Sequence, residues 1–403
     1  MLTSLLLIGL LQDPLPEKPS PPKTGAEWNQ AGVSALEKGQ LRYSLQCFEE
    51  AKALLPKDET VSVNLSRALG QLALVDYREN RLPEALIGFQ AATQAHRDNG
   101  TPELLAARCL LRLGRREEAL EQALLLHQDF PKKEQPPLLA ADIYALRMQL
   151  DLGVQLLKKI EEPTKKILDR MKQLQEEQLA WKSYLRDYSL HFEVLYNPNQ
   201  QAIVGAIPLI IQDLENACTD VSSHFGLLPT ENLVVLVLDK DRYKEQAPEW
   251  SAGLYDGRIR LSVGDYQKEK KNLRTTIRHE YAHAVLHNLG AQLPSWFQEG
   301  IAQSVENRSL EVATRRTRQS LEAGIRLANL QGDWTSWEGA SRVRAAYSYS
   351  LCFVQWIETK FGAHAWPLLF DAIRQRGLEK ATESVLGYSV DELDEQFSAS
   401  FSQ

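Results

Sequence analysis

Two histidines near residue 280 have the spacing of metal ligands. They are His279 and His283, within the string HEYAH. On an α-helix, side chains four residues apart share a face with Cβ atoms about 5–6 Å apart, so both imidazoles can reach one ion. Imidazole nitrogen is a common zinc ligand, with Zn–N bonds of about 2.0–2.1 Å. The pair therefore predicts part of a zinc site.

A catalytic zinc needs a third protein ligand and an open position for water. Glu299 offers a carboxylate sixteen residues after His283, in PSWFQEGIA, a short segment that a proline opens as a helix. His287 is the alternative, because it shares a face with His283. Eight residues beyond His279, however, the helix has turned about 80° away. We expect Glu299 to complete the site and His287 to act as a cation at the helix C-terminus.

The spacing of apolar residues along the sequence changes near residue 188, where the elements that must position these side chains begin. A helix is predicted over 272–289, because its apolar residues recur with helical spacing and Gly290 follows. Before it, alternating or continuous apolar residues predict strands. These lie in 189–197, 232–239 and 253–263, with a helix over 200–225 between the first two. Strands leading into helices predict an α+β domain over 188–403.

The N-terminal half repeats itself every 34 residues; for example, Ala119 lies 34 residues after Ala85. Small and large apolar residues recur at helix-turn-helix spacings in four units between 26 and 162, and an insertion of about seven residues lengthens the first helix of the second unit. The pattern resembles the tetratricopeptide repeat (TPR) family. That resemblance implies a helical solenoid whose groove binds a partner or substrate protein, a spacer being the alternative. Residues 163–187 are predicted to form a capping helix that joins the domains.

The second half resembles the gluzincin zinc metallopeptidases, in particular the peptidase-MA-like domain that occurs beside TPR arrays. HEYAH, PSWFQEGIAQ and AYSYSLCFVQWIETKFG carry the resemblance, which covers about residues 186–400. It implies one zinc ion held by His279, His283 and Glu299, and hydrolysis of peptide bonds in a peptide or protein. It also implies that Glu280 is the general base, taking a proton from zinc-activated water.

Two supporting roles follow from the resemblance. The oxyanion formed during hydrolysis needs a second stabilising group, for which Tyr347 is the candidate. Tyr349 is the alternative, and packing in the core is the other interpretation of both tyrosines. A zinc-bound histidine also needs a hydrogen-bond partner on its second nitrogen, and Gln303 or Glu306 could serve.

The strand region 253–263 is expected to form the sheet edge that holds an extended substrate, both by its alternation and by the resemblance. Tyr255, Arg258 and Arg260 would then line the cleft. A solvated, charged edge that prevents aggregation is the alternative.

The whole-chain composition excludes some partners. The 403 residues include 46 Lys+Arg and 53 Asp+Glu, a net charge of −7, so no global positive field is available to attract nucleic acid. Cysteines stand at positions 47, 109, 218 and 352 without a CxxC pair. We expect small buried residues, with a bridge between Cys218 and Cys352 as the alternative.

Residues 1–25 combine an apolar run with a proline-rich linker. The run is too short to cross a bilayer core of about 30 Å, and no other segment is long and apolar enough, so no integral membrane span is expected. It predicts a signal peptide and a periplasmic or extracellular protein, although no basic residue precedes it. If the run is not a signal, the protein is cytoplasmic.

Two functions fit the sequence. The first is a zinc peptidase with a TPR module that binds a partner. The second is a non-enzymatic TPR scaffold with a structural or degenerate metallopeptidase domain. The intact HEYAH string and Glu299 favour the first, because a site that drifts loses a ligand or the base.

Overall fold

The computed structural model describes residues 24–79, 81–97, 100–229, 231–245, 253–290, 293–306, 309–332, 334, 337 and 340–401. The predicted signal peptide lies outside these residues. The chain divides into two compact units, the first holding residues up to Asp76 together with Glu84–Glu103 and the second holding Tyr77–Pro83 and Leu104 onward. The predicted domain boundaries at 26–162, 163–187 and 188–403 stay predictions.

The N-terminal helices are α1 (Gly25–Glu37), α2 (Leu41–Leu54), α3 (Glu59–Arg78) and α4 (Leu82–Ala95). Thr24 begins α1 with a capping box, in which its hydroxyl accepts a hydrogen bond from the Glu27 amide at 3.2 Å and the Glu27 carboxylate accepts one from the Thr24 amide at 3.1 Å. Gly32 lets α1 approach Phe48 of α2, since a Cβ there would lie 2.6 Å from the ring. Helix α3 has 20 residues against 13 in α1, a difference of seven. That difference equals the expected insertion.

The next helices are α5 (Thr101–Arg112), α6 (Arg116–Asp129), α7 (Gln135–Leu146), α8 (Leu150–Lys158) and α9 (Lys165–Trp181). Helices α4, α6 and α8 begin 34 residues apart, at the period read from the sequence. The predicted capping helix over 163–187 ends earlier, at Trp181, and a strand begins at Leu185.

The sheet has five strands in the order β1-β2-β3-β5-β4. Their bounds are β1 Leu185–Tyr188, β2 Phe192–Tyr196, β3 Leu233–Leu238, β4 Gly253–Tyr255 and β5 Ile259–Ser262. Strands β2, β3 and β5 are parallel to one another, while β1 pairs antiparallel with β2 and β4 antiparallel with β5. Strand β4 is therefore an edge strand, beside the helix that follows β5.

Helices pack on both faces of the sheet. On one face, Val194, Val235 and Val237 lie in a core shared with the helices after β2 and β5. On the other, Leu195 and Leu236 pack with residues of α7 to α9. Because both faces are covered, all six residues of β3 are buried, which explains its unbroken apolar sequence.

The remaining helices belong to the second unit. They are α10 Gln201–Val204, α11 Ile207–Phe225, α12 Lys240–Lys244, α13 Tyr266–His287, α14 Ser295–Ser304, α15 Leu310–Glu322, α16 Ala340–Phe361, α17 Ala365–Arg376, α18 Leu378–Leu386 and α19 Val390–Ser400, with a 3₁₀ turn at Leu327–Leu330. Four of them, α13 to α16, contribute residues to the candidate site. Helix α13 begins six residues before the predicted start, because the Asp265 carboxylate caps it by accepting from the Gln267 and Lys268 amides. The protein is thus mostly helical with one mixed sheet, which confirms the α+β class at that level.

Two further sequence expectations concern cysteines and membranes. All four cysteines are buried and free, so the alternative bridge between Cys218 and Cys352 is wrong. Within the described ranges, no helix has the length and apolarity needed to cross a membrane.

Candidate metal centre

Three side chains from α13 and α14 converge on one point. The Nε2 atoms of His279 and His283 lie 3.1 Å apart. Glu299 places Oε2 at 3.5 Å from the first of these nitrogens and Oε1 at 3.6 Å from the second. A tetrahedral ion with bonds of about 2.0–2.1 Å holds its ligand atoms about 3.3–3.4 Å apart. The three predicted ligands therefore have the spacing that zinc requires.

The hydrogen bonding around His279 directs one of its nitrogens at this point. Its Nδ1 lies 2.7 Å from Oε1 of Glu306, which accepts the hydrogen bond. With Nδ1 bonded to Glu306, the Nε2 atom faces His283 and Glu299. Glu306, two residues after α14, is thus the orienting partner, while the amide of Gln303 bonds backbone carbonyls instead.

The surroundings favour positive charge at the convergence point. Burial opposes protonation of His279, but the Glu306, Glu299 and Glu280 carboxylates outweigh it and raise its pKa to about 9. Burial and the neighbouring His279 lower the pKa of His283. The Oε2 atom of Glu299 is buried without a hydrogen-bond partner in the described part of the chain. A divalent cation would displace the proton from His279 and bind both Nε2 atoms and this oxygen, so the residues fit zinc.

Glu280 lies beside the three ligands and is only 6% exposed. Burial raises its pKa to about 7; His279 opposes the rise, and Glu299 and Glu306 add to it. Gly253 of β4 lies against it, since a Cβ on that glycine would come within 2.6 Å of Glu280 Oε1. A carboxyl group with a pKa near 7 can accept and release a proton at neutral pH.

The structure separates the two candidate tyrosines. Tyr347 lines the same cavity as the ligands and hydrogen-bonds Glu299. Burial and that carboxylate raise its pKa above the usual range for tyrosine. Tyr349 is fully buried, and its hydroxyl donates to Asp394 at 2.6 Å in the core. Tyr349 is therefore excluded as the group that contacts an oxyanion at this site.

The ligands open into a cavity of about 1100 Å³. Strand β4 forms one wall with Gly253, Leu254 and Tyr255. The expectation that Arg258 and Arg260 line the cleft is wrong: neither lies on the cavity wall, because β4 and not β5 is the edge strand, and both pair with carboxylates elsewhere. Arg258 contacts Glu177 and Arg260 contacts Asp256, each at 2.8 Å.

His287 lies on the cavity wall outside the ligand set. Its ring faces the Tyr255 ring edge-on, with centroids 5.5 Å apart. Burial and the charge of Arg116 lower its pKa, which disfavours the expected role as a cation. The ring nitrogens of His287 do not belong to the ligand cluster found among the described residues.

The turn between α5 and α6 packs against the end of the ligand helix. A Cβ on Gly290, where φ is +69°, would lie 2.5 Å from a Leu113 methyl carbon. Nearby, the buried Arg116 guanidinium donates to the Tyr255 hydroxyl and the Gly257 carbonyl, each at 3.3 Å. Arg116 therefore ties α6 to the cavity wall. Sequence reasoning did not identify this contact, which joins residues 139 positions apart.

A second cluster of potential ligands lies at the start of β2 and on α11. Glu215 accepts hydrogen bonds from the His191 amide at 3.0 Å and from its ring Nδ1 at 2.7 Å. Cys218 accepts one from the Tyr281 hydroxyl at 3.2 Å, and burial raises the pKa of its thiol. The partner of His191 thus comes from a different element, α11.

Scans of protein-family models and of curated proteins find no match to this chain. The features of the molecule that bear on its function are therefore the three ligand atoms, the buried Glu280 and the position of Tyr347.

Proposed function

We propose that this protein is a zinc-dependent peptidase with a gluzincin-like domain, preceded by TPR-like repeats that bind a partner or substrate protein. One observation carries the proposal: His279, His283 and Glu299 point three ligand atoms at one position, with distances of 3.1, 3.5 and 3.6 Å between them. A buried glutamate and a tyrosine stand beside that position in the same cavity.

Zinc bound there would supply a Lewis acid and make water a better nucleophile at neutral pH. Glu280 receives the proton of the attacking water and passes it to the leaving amine, a task for which a pKa of about 7 is suited. Tyr347 keeps its proton at neutral pH and donates a hydrogen bond to the developing oxyanion. Glu306 holds the His279 ring in place throughout.

The edge strand β4 holds the substrate. An extended peptide pairs with Gly253–Tyr255 as an added strand, and the missing side chain of Gly253 brings the pairing backbone close to Glu280. A larger residue there would push the strand away from the base. The short strand thus aligns the peptide bond with the groups that act on it.

The helical repeats supply a separate surface for protein binding. Support comes from the 34-residue separation between the starts of α4, α6 and α8, which is the TPR period. Export through the apolar N-terminal run is part of the proposal, and sequencing the N-terminus of the mature protein tests it.

Hydrolysis of a peptide mixture by the zinc-loaded full chain tests the enzymatic proposal, with products read by mass spectrometry. Glu280→Gln is expected to lower the rate by about 10²–10⁴-fold, the usual contribution of a general base, while zinc content stays the same. Glu269→Gln is the matched control, because it makes the same change near the start of the same helix, where Glu269 pairs with Lys240. Equal inactivity of the wild type and Glu280→Gln would instead support the scaffold function.

A further inference from the structure

Two arginines on the cavity wall have no ion pair within the part of the chain that the structure describes. Arg316 lies on α15 and Arg344 on α16, and both side chains are exposed. The two helices pack against each other, and both arginines line the same cavity. Arginines elsewhere in the domain, such as Arg258 and Arg260, are paired with carboxylates.

These arginines make the cavity wall positive away from the metal centre, whereas the chain as a whole has a net negative charge. The acidic residues on its wall are Glu280, Glu299 and Glu306, all at the metal centre. Away from that centre, the charged residues of the described wall are the two arginines, in a chain of net charge −7. A concave surface concentrates such a field on whatever enters it. The cavity therefore attracts anionic groups.

Arg344 lies close to the place where the cleaved peptide bond would sit. It precedes Tyr347 by three residues on α16, so the two side chains share a face with Cβ atoms about 5–6 Å apart. An extended peptide advances about 3.3 Å per residue. A side chain one or two residues from the bond beside Tyr347 is thus within reach of Arg344. Trp334, Trp337 and Val343 also line the cavity, and such apolar walls strengthen an ion pair.

We propose that the cavity selects peptides with an aspartate or glutamate within two residues of the cleaved bond. Its carboxylate pairs with Arg344 or Arg316, in the forked geometry that a guanidinium group forms with a carboxylate. The statement about the cleaved bond rests on the proposed peptidase function. The preference for an acidic peptide is a property of binding and can be measured without hydrolysis.

Binding is measured with fluorescein-labelled peptide pools and the zinc-loaded full-length Glu280→Gln protein. The pools are random decapeptides that differ in one fixed residue, glutamate or glutamine, at the fifth position. We expect about tenfold tighter binding of the glutamate pool, as for a charge-assisted hydrogen bond, and a smaller ratio at high salt. Adding Arg344→Gln or Arg316→Gln brings the ratio toward one. Adding Arg315→Gln, which removes a neighbouring exposed charge outside the cavity wall, leaves it unchanged.

Hydrolysis of the same pools by the wild type locates the acidic residue relative to the new termini. Cleavage within two residues of the fixed glutamate supports the inference. Equal binding of both pools overturns it, whether or not hydrolysis occurs. Tighter binding of the glutamate pool with no hydrolysis overturns the peptidase function and leaves the acidic preference in place.

Discussion

Among the residues that the structure describes, two groups of potential metal ligands differ in how far hydrogen bonds already satisfy their atoms. In each, three ligand atoms lie within 4.8 Å of one another. In the group at β2 and α11, Glu215 and Cys218 already accept hydrogen bonds from His191 and Tyr281. In the group at α13 and α14, the Nε2 atoms of two imidazoles face each other, and Oε2 of Glu299 is buried without a hydrogen-bond partner in the described part of the chain.

The difference shows that closeness of ligand types does not define a metal site. A cation adds little where hydrogen bonds already satisfy each atom, because binding would break those bonds. It adds much where buried lone pairs are uncompensated. We therefore expect zinc at His279, His283 and Glu299 and no bound metal at His191, Glu215 and Cys218.

The largest effect is expected from loss of a ligand. His279→Ala should weaken zinc binding by more than the roughly 100-fold that loss of an outer hydrogen-bond partner causes, because a bond to the ion is removed. Chelator competition measures the affinity. His191→Ala is the control and should bind zinc as the wild type does. Wild-type affinity in His279→Ala, or a large loss in His191→Ala, would reverse the comparison.

The second largest effect is expected from removal of the metal, which should lower the thermal stability of the protein. A ligand present at 100 times its Kd and bound only to the folded state stabilises by about 2.7 kcal/mol. Thermal unfolding of the wild type should therefore move to lower temperature with EDTA and recover with zinc. The His279→Ala protein should show no such shift. A zinc-dependent shift that persists in His279→Ala but vanishes in Cys218→Ala would assign the ion to the other group.

A smaller effect on zinc affinity is expected from a change at Glu306, the hydrogen-bond partner of the ligand His279. Glu306→Gln keeps the size of the side chain but weakens the hydrogen bond that orients His279, so zinc affinity should fall about 10–100-fold. The same change at Glu215, which also bonds a histidine ring, should leave zinc affinity unaltered. Equal zinc affinities for the wild type and Glu306→Gln would show that this carboxylate does not orient the ligand.

The smallest effect concerns stability at the second group. Burial raises the pKa of Glu215, but hydrogen bonds from His191 and Ser189 outweigh it, and the net pKa is lower than in the unfolded chain. The ionised form thus stabilises the fold by about 1 kcal/mol above the unfolded pKa of about 4.3, and this contribution is lost as the pH falls through the folded pKa. Urea unfolding at pH 7 should show Glu215→Gln less stable than the wild type, and the gap should narrow in acid. A gap that stays constant with pH would contradict this assignment.

Local patterns in the sequence were enough to predict the ligand helix and its acidic neighbour. The i, i+4 spacing of His279 and His283 fixes their common face, and the apolar run of β3 predicts a strand buried on both sides. Tyr347 and Tyr349 are two residues apart and differ by about 200° around the helix, so only one can face the cavity. Which tyrosine faces the cavity depends on how α16 packs, because the hydroxyl of the other one, Tyr349, donates a hydrogen bond to Asp394 of α19.

The errors in the prediction share a cause, which is contact between distant parts of the chain. Alternation alone does not show that β4, and not β5, is the edge strand, so Arg258 and Arg260 were wrongly expected in the cleft. The surroundings of His287 could not be foreseen either, because Arg116, whose charge lowers the pKa of His287, comes from a helix much earlier in the chain. Strand β1, with the sequence LRDY, carries no local pattern that distinguishes it from the end of a polar helix.

The contact between Arg116 and Tyr255 bears on where this protein can be shortened. A fragment beginning at Tyr188 would keep every proposed ligand yet remove the guanidinium that holds the Tyr255 hydroxyl and the Gly257 carbonyl. It would also uncover the surface around Gly290 that Leu113 now covers. The cavity wall thus depends on side chains of α6 and of the turn before it, so truncation from the N-terminus should disturb the cavity once it removes them.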